Sequence, residues 1–176
     1  AEMLDLALML HAGHGGGNSS TFAVHLVSSS GTDTYSAMAT AIGALKGHKH
    51  GGANLKVLEM INDMKKYVTD WKNDKQIEDY LFKVLNKEAN DGSGLIYGIG
   101  HAVYTRSDPR AILLKEKAQE LAYELGGEWQ EELEFYKRIE KIAPFVFEKH
   151  RAIDKTFCAN VDFYSGLVYS MLNIPK

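Results

Sequence analysis

SDPRAILLKEKAQELAYELGG, Ser107 to Gly127, is punctuated as one complete helix. Asp108 is a residue type whose side-chain oxygen accepts from the unpaired N–H groups at a helix start, and Pro109 suits the first helical position, where no N–H is needed. Ala111, Leu114, Ala118, Leu121, Ala122 and Leu125 then recur at helical spacing, and Gly126-Gly127 marks the stop. The same period runs outward from this stretch. Val57, Leu58, Ile61, Met64 and Val68 form one apolar stripe, and Ile77, Leu81, Val84 and Leu85 form a second. Each can cover one side of a small core. Nearer the start, Leu4, Leu6, Ala7 and Leu10 share a face that ends at Gly13, Gly15, Gly16 and Gly17. Phe22, Val24, Leu26 and Val27 follow the capping types Asn18, Ser19, Ser20 and Thr21. Thr32, Asp33 and Thr34 then precede TYSAMATAIGALKG, whose Ala37, Ala39, Ala41, Gly43 and Ala44 would let another helix approach closely, in a core or across a subunit interface. With three prolines and no sustained alternation of period two, the chain is expected to be all-α.

The bulk properties narrow the function classes. A length of 176 residues with 45% hydrophobic content supports a buried core. The net charge is −3, with both signs mixed along the chain, so no basic face suited to nucleic acid stands out. Cys158 is the one cysteine, which excludes an internal disulfide and points to a reducing, cytoplasmic setting. No apolar run approaches the roughly 18 residues of a membrane helix. The helical period is already running in AEMLDLALML and stops soon after an apolar stretch at MLNIPK, so both ends read as cuts through a longer protein.

Three glycine-flanked histidine loops recur: HAGHGGGN around His14, GHKHGGAN around His50 and YGIGHAVYTRSDPR around His101. Glycine lets a ligand approach the main chain, so the recurrence suggests a pocket, although each histidine alone reads as a loop residue. Asp162 lies among Val161, Phe163 and Tyr164, where partial desolvation would suit it to act as a base. Its alternative is a helix cap or a surface carboxylate. His11 and His14, and His48 and His50, are spaced like metal ligands, but no nearby Cys, Asp or Glu completes a short-range set, and no metal is expected. The glycines at Gly13 to Gly17 lack the spacing of a phosphate-binding loop.

Taken together and in order, HAGHGGGNSSTF, GALKGHKHGGAN, YGIGHAVYTRSDPR and NVDFYSG resemble the citrate synthase family, with its order and approximate spacing from about Leu10 to Ser165. The resemblance implies a multi-helical citrate-synthase-like fold and an acyltransferase of the tricarboxylic acid cycle. That enzyme joins acetyl-CoA to oxaloacetate and releases citrate and CoA, with acetyl-CoA as co-substrate and no permanently bound cofactor. It also implies the roles. Asp162 would take a proton from the acetyl methyl group, and His50 would hydrogen-bond the thioester oxygen. His101 would polarise the ketone of oxaloacetate, and His14 and Arg110 would hold its oxygens. The backbone of Leu95, Ile96, Tyr97, Gly98, Ile99 and Gly100 would lie near the adenine of CoA. A basic residue often stands four positions after the third histidine; here Thr105 is there and Arg106 follows, so Arg106 is grouped with the CoA contacts.

The sequence departs from the family in places. Gly13 and Gly15 flank His14 where acidic residues are common, and His48 stands where proline is common. Two further arginines expected beyond Asp162 are missing, because none of the 14 residues after it is Arg. The chain is therefore expected to be a fragment, truncated at both ends and inactive by itself. Residues 1–54 would belong to the large domain, with two histidine loops and a dimer-interface helix; 55–164 would be the small, CoA-binding domain; 165–176 would begin the return to the large domain. The parent would be a homodimer. Alternatives are a 2-methylcitrate synthase using propionyl-CoA, a CoA-binding fragment without catalysis, and an interaction protein built on the helix from Thr34 to Gly47.

Overall fold

The structure, a computed structural model, describes residues 1–13, 17–47, 50–101, 104, 106–151 and 157–175, with Arg151 by its backbone alone. The chain divides into two units, Ala1–Ala53 and Asn54–Lys176. The described residues form eight helices and no strand, apart from a single antiparallel bridge between Ile99 and Ala159. The expectation of an all-α fold therefore holds. Among these residues no helix is long and apolar enough to cross a membrane.

The first unit contains α1 (Glu2–Ala12), α2 (Ser19–Ser29) and α3 (Thr34–Leu45). Asn18 caps α2 by accepting from the Thr21 N–H at 2.8 Å, and Asp33 caps α3 by accepting from the Ser36 N–H at 3.0 Å. Each side chain satisfies a donor that the helix itself leaves unpaired. α2 and α3 pack on each other, yet among the described residues the unit buries only Met3, Ala7 and Ala37 of its apolar side chains.

The second unit contains α4 (Ala53–Tyr67), α5 (Asp74–Leu85), α6 (Pro109–Leu125), α7 (Glu128–Arg151) and α8 (Val161–Met171). α7 is the hub, packing against α5, α6 and α8. It presents Leu133, Tyr136, Ile139, Ala143 and Val146 to the core at helical spacing, all buried. α4 joins through side chains: Tyr80 of α5 donates to Asp63 at 2.7 Å, and Lys65 pairs with Glu132 of α7. Beneath α8 the rings of Tyr136 and Phe163 meet at 5.3 Å and those of Phe163 and Tyr164 at 5.1 Å, both edge to face. Such contacts add about 0.5–1.5 kcal/mol each beyond the area they bury. Among the described residues the Tyr136 hydroxyl is buried without a hydrogen-bond partner, and burial pushes its pKa well up. By contrast Tyr164 donates to Glu140 at 2.6 Å, and Glu140 in turn holds Lys115, which ties α8, α7 and α6 together.

Candidate active site

Two segments of the second unit, far apart in sequence, are joined at one corner: the loop at residues 95–101 and the start of α8. Gly100 N–H donates to the Cys158 carbonyl at 2.7 Å and Asn160 N–H donates to the Gly98 carbonyl at 2.9 Å. These bonds flank the bridge between Ile99 and Ala159. Gly98 is required there twice over. Its φ is +78°, and a Cβ would come within 2.9 Å of the Phe163 Cα, so the loop lies directly on the backbone of α8. Ile96 and Ile99 are buried anchors, Leu95 is exposed, and Tyr97 donates to Asp91 at 2.7 Å.

His101 follows this anchored turn. The Tyr104 N–H donates to its Nδ1 at 3.1 Å. A backbone N–H can only donate, so the neutral ring carries its proton on Nε2. The Tyr104 ring lies 4.9 Å from the His101 ring on one side and 5.4 Å from the Arg110 guanidinium on the other. That distance suits a cation–π contact.

Asp108 organises the corner. It is 1% exposed and does more than cap α6. Its Oδ1 accepts from the Arg110 backbone N–H at 3.0 Å and from Arg110 Nε at 3.0 Å; its Oδ2 accepts from Arg110 Nη2 at 2.9 Å and from the Val161 N–H at 3.2 Å. One carboxylate therefore fixes Arg110 and the first residue of α8. Burial alone would raise its pKa, but the hydrogen bonds and charge of Arg110, with the Val161 N–H, hold it below the usual carboxylate value. The hydrogen bond to Asp108 raises the Arg110 pKa, with smaller contributions from the fields of Asp108, Tyr104 and Asp162. The charges of Arg110 and Asp162 are thus felt in one place. With Nε and one Nη2 proton committed to Asp108, the edge of the fork between Nη1 and Nη2 is the one that can take a ligand carboxylate.

Asp162 stands half-buried in the first turn of α8, where unpaired N–H groups favour negative charge. It is not the cap. Asn160 is, accepting from the Asp162 N–H at 3.0 Å. Cys158, which donates to the Tyr104 carbonyl at 3.4 Å, has its pKa raised chiefly by burial, the opposite of what a nucleophilic thiol needs.

In the first unit His50 is held by its own turn. His50 N–H donates to Gly47, Gly51 N–H to Leu45, and Ala53 N–H to His50. A Cβ on Gly51 would overlap the Leu45 carbonyl oxygen. The His50 Nε2 lies 2.9 Å from Ser20 Oγ and accepts from the Ser20 N–H at 3.4 Å. As an acceptor at Nε2, the neutral ring bears its proton on Nδ1. His14 and Thr105 lie outside the described residues. Arg106 is exposed beside the corner.

The family model described as "Citrate synthase, C-terminal domain" matches residues 1–176. The chain belongs to the citrate synthase family. The citrate synthase of Deinococcus radiodurans is 40% identical over 176 residues, which are 100% of this chain and 41% of that protein. The crystal structure of citrate synthase from Pyrobaculum aerophilum matches with a TM-score of 0.75 at 32% identity, over 98% of this chain and 39% of that one. Citrate synthase from Thermoplasma acidophilum, in a ternary complex with carboxymethyl coenzyme A and oxaloacetate, matches with a TM-score of 0.74 at 27% identity, over 99% of this chain and 42% of that one. This member therefore spans about two fifths of the length of the curated relatives it matches.

Sequence reasoning overlooked Asn160 and reduced Ser20 and Asp108 to caps. All three are capping residue types at helix starts, so the signal was present, but a cap's second partner lies far away in the chain. Cavity size is no guide in this family member. A cavity of about 590 Å³ is lined by Trp71, Tyr123, Phe135 and Arg138, and a second of about 240 Å³ by Trp129, Tyr136 and Leu167. Neither includes His101, Arg110 or Asp162.

Proposed function

We propose that this chain carries the condensing loops of an acyltransferase that joins acetyl-CoA to oxaloacetate and releases citrate and CoA. The supporting observation is the corner in which Asp108 ties Arg110 to the start of α8, beside His101 and Asp162, in a chain that belongs to the citrate synthase family. The Asp162 carboxylate takes a proton from the thioester methyl group, and the electron pair moves to the thioester oxygen. Such a methyl is a weak acid, so a donor already in place must meet that oxygen; the Nδ1–H of His50 is the donor. The Nε2–H of His101 hydrogen-bonds the ketone of oxaloacetate. The enolate carbon attacks the ketone carbon, a C–C bond forms, and the ketone oxygen becomes a hydroxyl through His101. Water then splits the citryl thioester into citrate and the CoA thiol.

Arg110, through its Nη1–Nη2 edge, and His14 hold oxaloacetate. The segment Leu95–Gly100 meets the adenine end of CoA, and Arg106 a phosphate. Acetyl-CoA is a co-substrate, and no permanently bound cofactor or metal takes part. The whole protein is a cytoplasmic homodimer in this reading. Exposed Phe22, Leu26, Met38 and Ile42 on α2 and α3, and open space beside Gly43, support a shared face there.

The test follows loss of thioester absorbance by the whole protein with oxaloacetate and either acetyl-CoA or propionyl-CoA, beside its Asp162→Asn variant. A proton-transfer partner is worth roughly 10²–10⁴ in rate, so the variant should lose at least that much while remaining folded. Near-normal turnover by Asp162→Asn would remove Asp162 as the base. One methylene in an apolar pocket changes binding by only about 1–3 kcal/mol, so the ratio of the two thioesters decides between citrate and 2-methylcitrate.

A further inference from the structure

We propose that Asn160 is the positioning residue that sets the spacing between His101 and Asp162. The inference rests on the reading of those two residues as electrophile and base. One carboxamide touches the peptide units of both. Its Nδ2 donates at 2.8 Å to the carbonyl of Gly100, the peptide whose nitrogen belongs to His101, and its Oδ1 accepts at 3.0 Å from the N–H of Asp162. The orientation of the amide is unambiguous, because a backbone carbonyl can only accept and a backbone N–H can only donate. The backbone of Asn160 adds a third tie, its N–H to the Gly98 carbonyl at 2.9 Å.

Helix capping explains only half of this arrangement. A cap needs an acceptor, which Asp or Ser supplies about as well as Asn. The cap Asn73 spends its side-chain oxygen within its own helix, on Lys75 and Gln76. The donor bond from Asn160 to Gly100 does nothing for α8; it fixes the turn before His101 against the turn that carries Asp162. Asp at this position would turn an oxygen toward the Gly100 carbonyl, and Ser lacks a second atom to reach it. Arg110 is held separately, by Asp108.

The experiment compares the wild type with Asn160→Asp and Asn160→Ser, two variants that keep a capping oxygen. Asn160→Ser adds no charge beside Asp162, which separates lost spacing from an altered field. In amide hydrogen exchange on the chain itself, protection at Gly100 and Asn160 N–H should fall in both variants, while the later turns of α8 keep theirs. In the whole protein kcat should drop by up to about 10²-fold, the order expected for a displacement near 1 Å, with KM for oxaloacetate nearly unchanged. Wild-type protection at Gly100, or a wild-type kcat, in both variants overturns the inference. Asp162→Asn, run alongside, separates the two kinds of failure. If it is dead while the Asn160 variants are normal, the inference alone is overturned; if it turns over normally, the reading of the base falls and takes the inference with it.

Discussion

The corner around His101 is held by side chains that bridge distant segments, whereas the bonds described around His50 are mostly those of its own turn. Asp108 joins Arg110 in the first turn of α6 to α8, Asn160 joins the loop to α8, and the aromatic cluster of Tyr136, Phe163 and Tyr164 lies beneath. Among the described residues, His50 instead shows three turn bonds, the close contact at Gly51 and a bond to Ser20. The burial of the two units differs in the same direction. Phe22, Leu26 and Ile42 stay 60–63% exposed in the first, whereas Phe163, Leu167 and Val168 of the second are at most 1% exposed. Damage to the second region should therefore cost stability and activity together, and damage to the first should cost mostly activity.

The largest expected effect comes from Asp108→Ala. It removes a cap and leaves the partly buried Arg110 charge without its partner, which costs at most the roughly 3–5 kcal/mol of fully buried pairs. Urea unfolding measures it, and a loss under about 1 kcal/mol would erase the contrast between the regions. The same carboxylate sets a pH dependence. Its folded pKa lies below its ordinary 3.8, so its stabilisation is complete above that value and is lost as pH falls through the folded pKa. Asp108→Asn should flatten the acid limb of stability against pH below about 3.8.

Gly98→Ala comes next, at about 1–3 kcal/mol, because it combines a left-handed backbone with a collision at Phe163. Calorimetry should show a lowered Tm. Ser20→Ala sharpens the other side of the comparison. It deletes one hydrogen bond to His50, worth about 0.5–1.5 kcal/mol, so turnover should fall no more than about tenfold with little change in Tm. A fall in stability as large as that of Asp108→Ala would mean the two regions are not built differently. The smallest effect is expected at Tyr136→Phe, which removes a buried hydroxyl that lacks a partner; stability should hold or rise by up to about 1 kcal/mol.

Local signals made most of the helices legible in the sequence. Asn18, Asp33 and Asp108 cap α2, α3 and α6 where their residue types suggest, and both stripes are buried except for the half-buried Leu58. α7 was the one long helix left unassigned. Its apolar positions fit the period, but dense Glu and Lys between them and Pro144 inside the helix mask the stripe. The candidate site was legible as residue types in order, through His50, His101, Arg110 and Asp162. What holds them was not, because Asp108 and Asn160 act through partners about fifty to sixty residues away, and hydrogen bonds between distant segments leave no periodic trace.

The central claim, that Asp162 is the base that forms the enolate, is tested most directly by deuterium exchange at the methyl group of acetyl-CoA. The exchange is followed by NMR in heavy water, in the presence of an oxaloacetate analogue that cannot react. The whole protein should wash deuterium into the methyl group, and its Asp162→Asn variant should not. Equal exchange by the two would contradict the account.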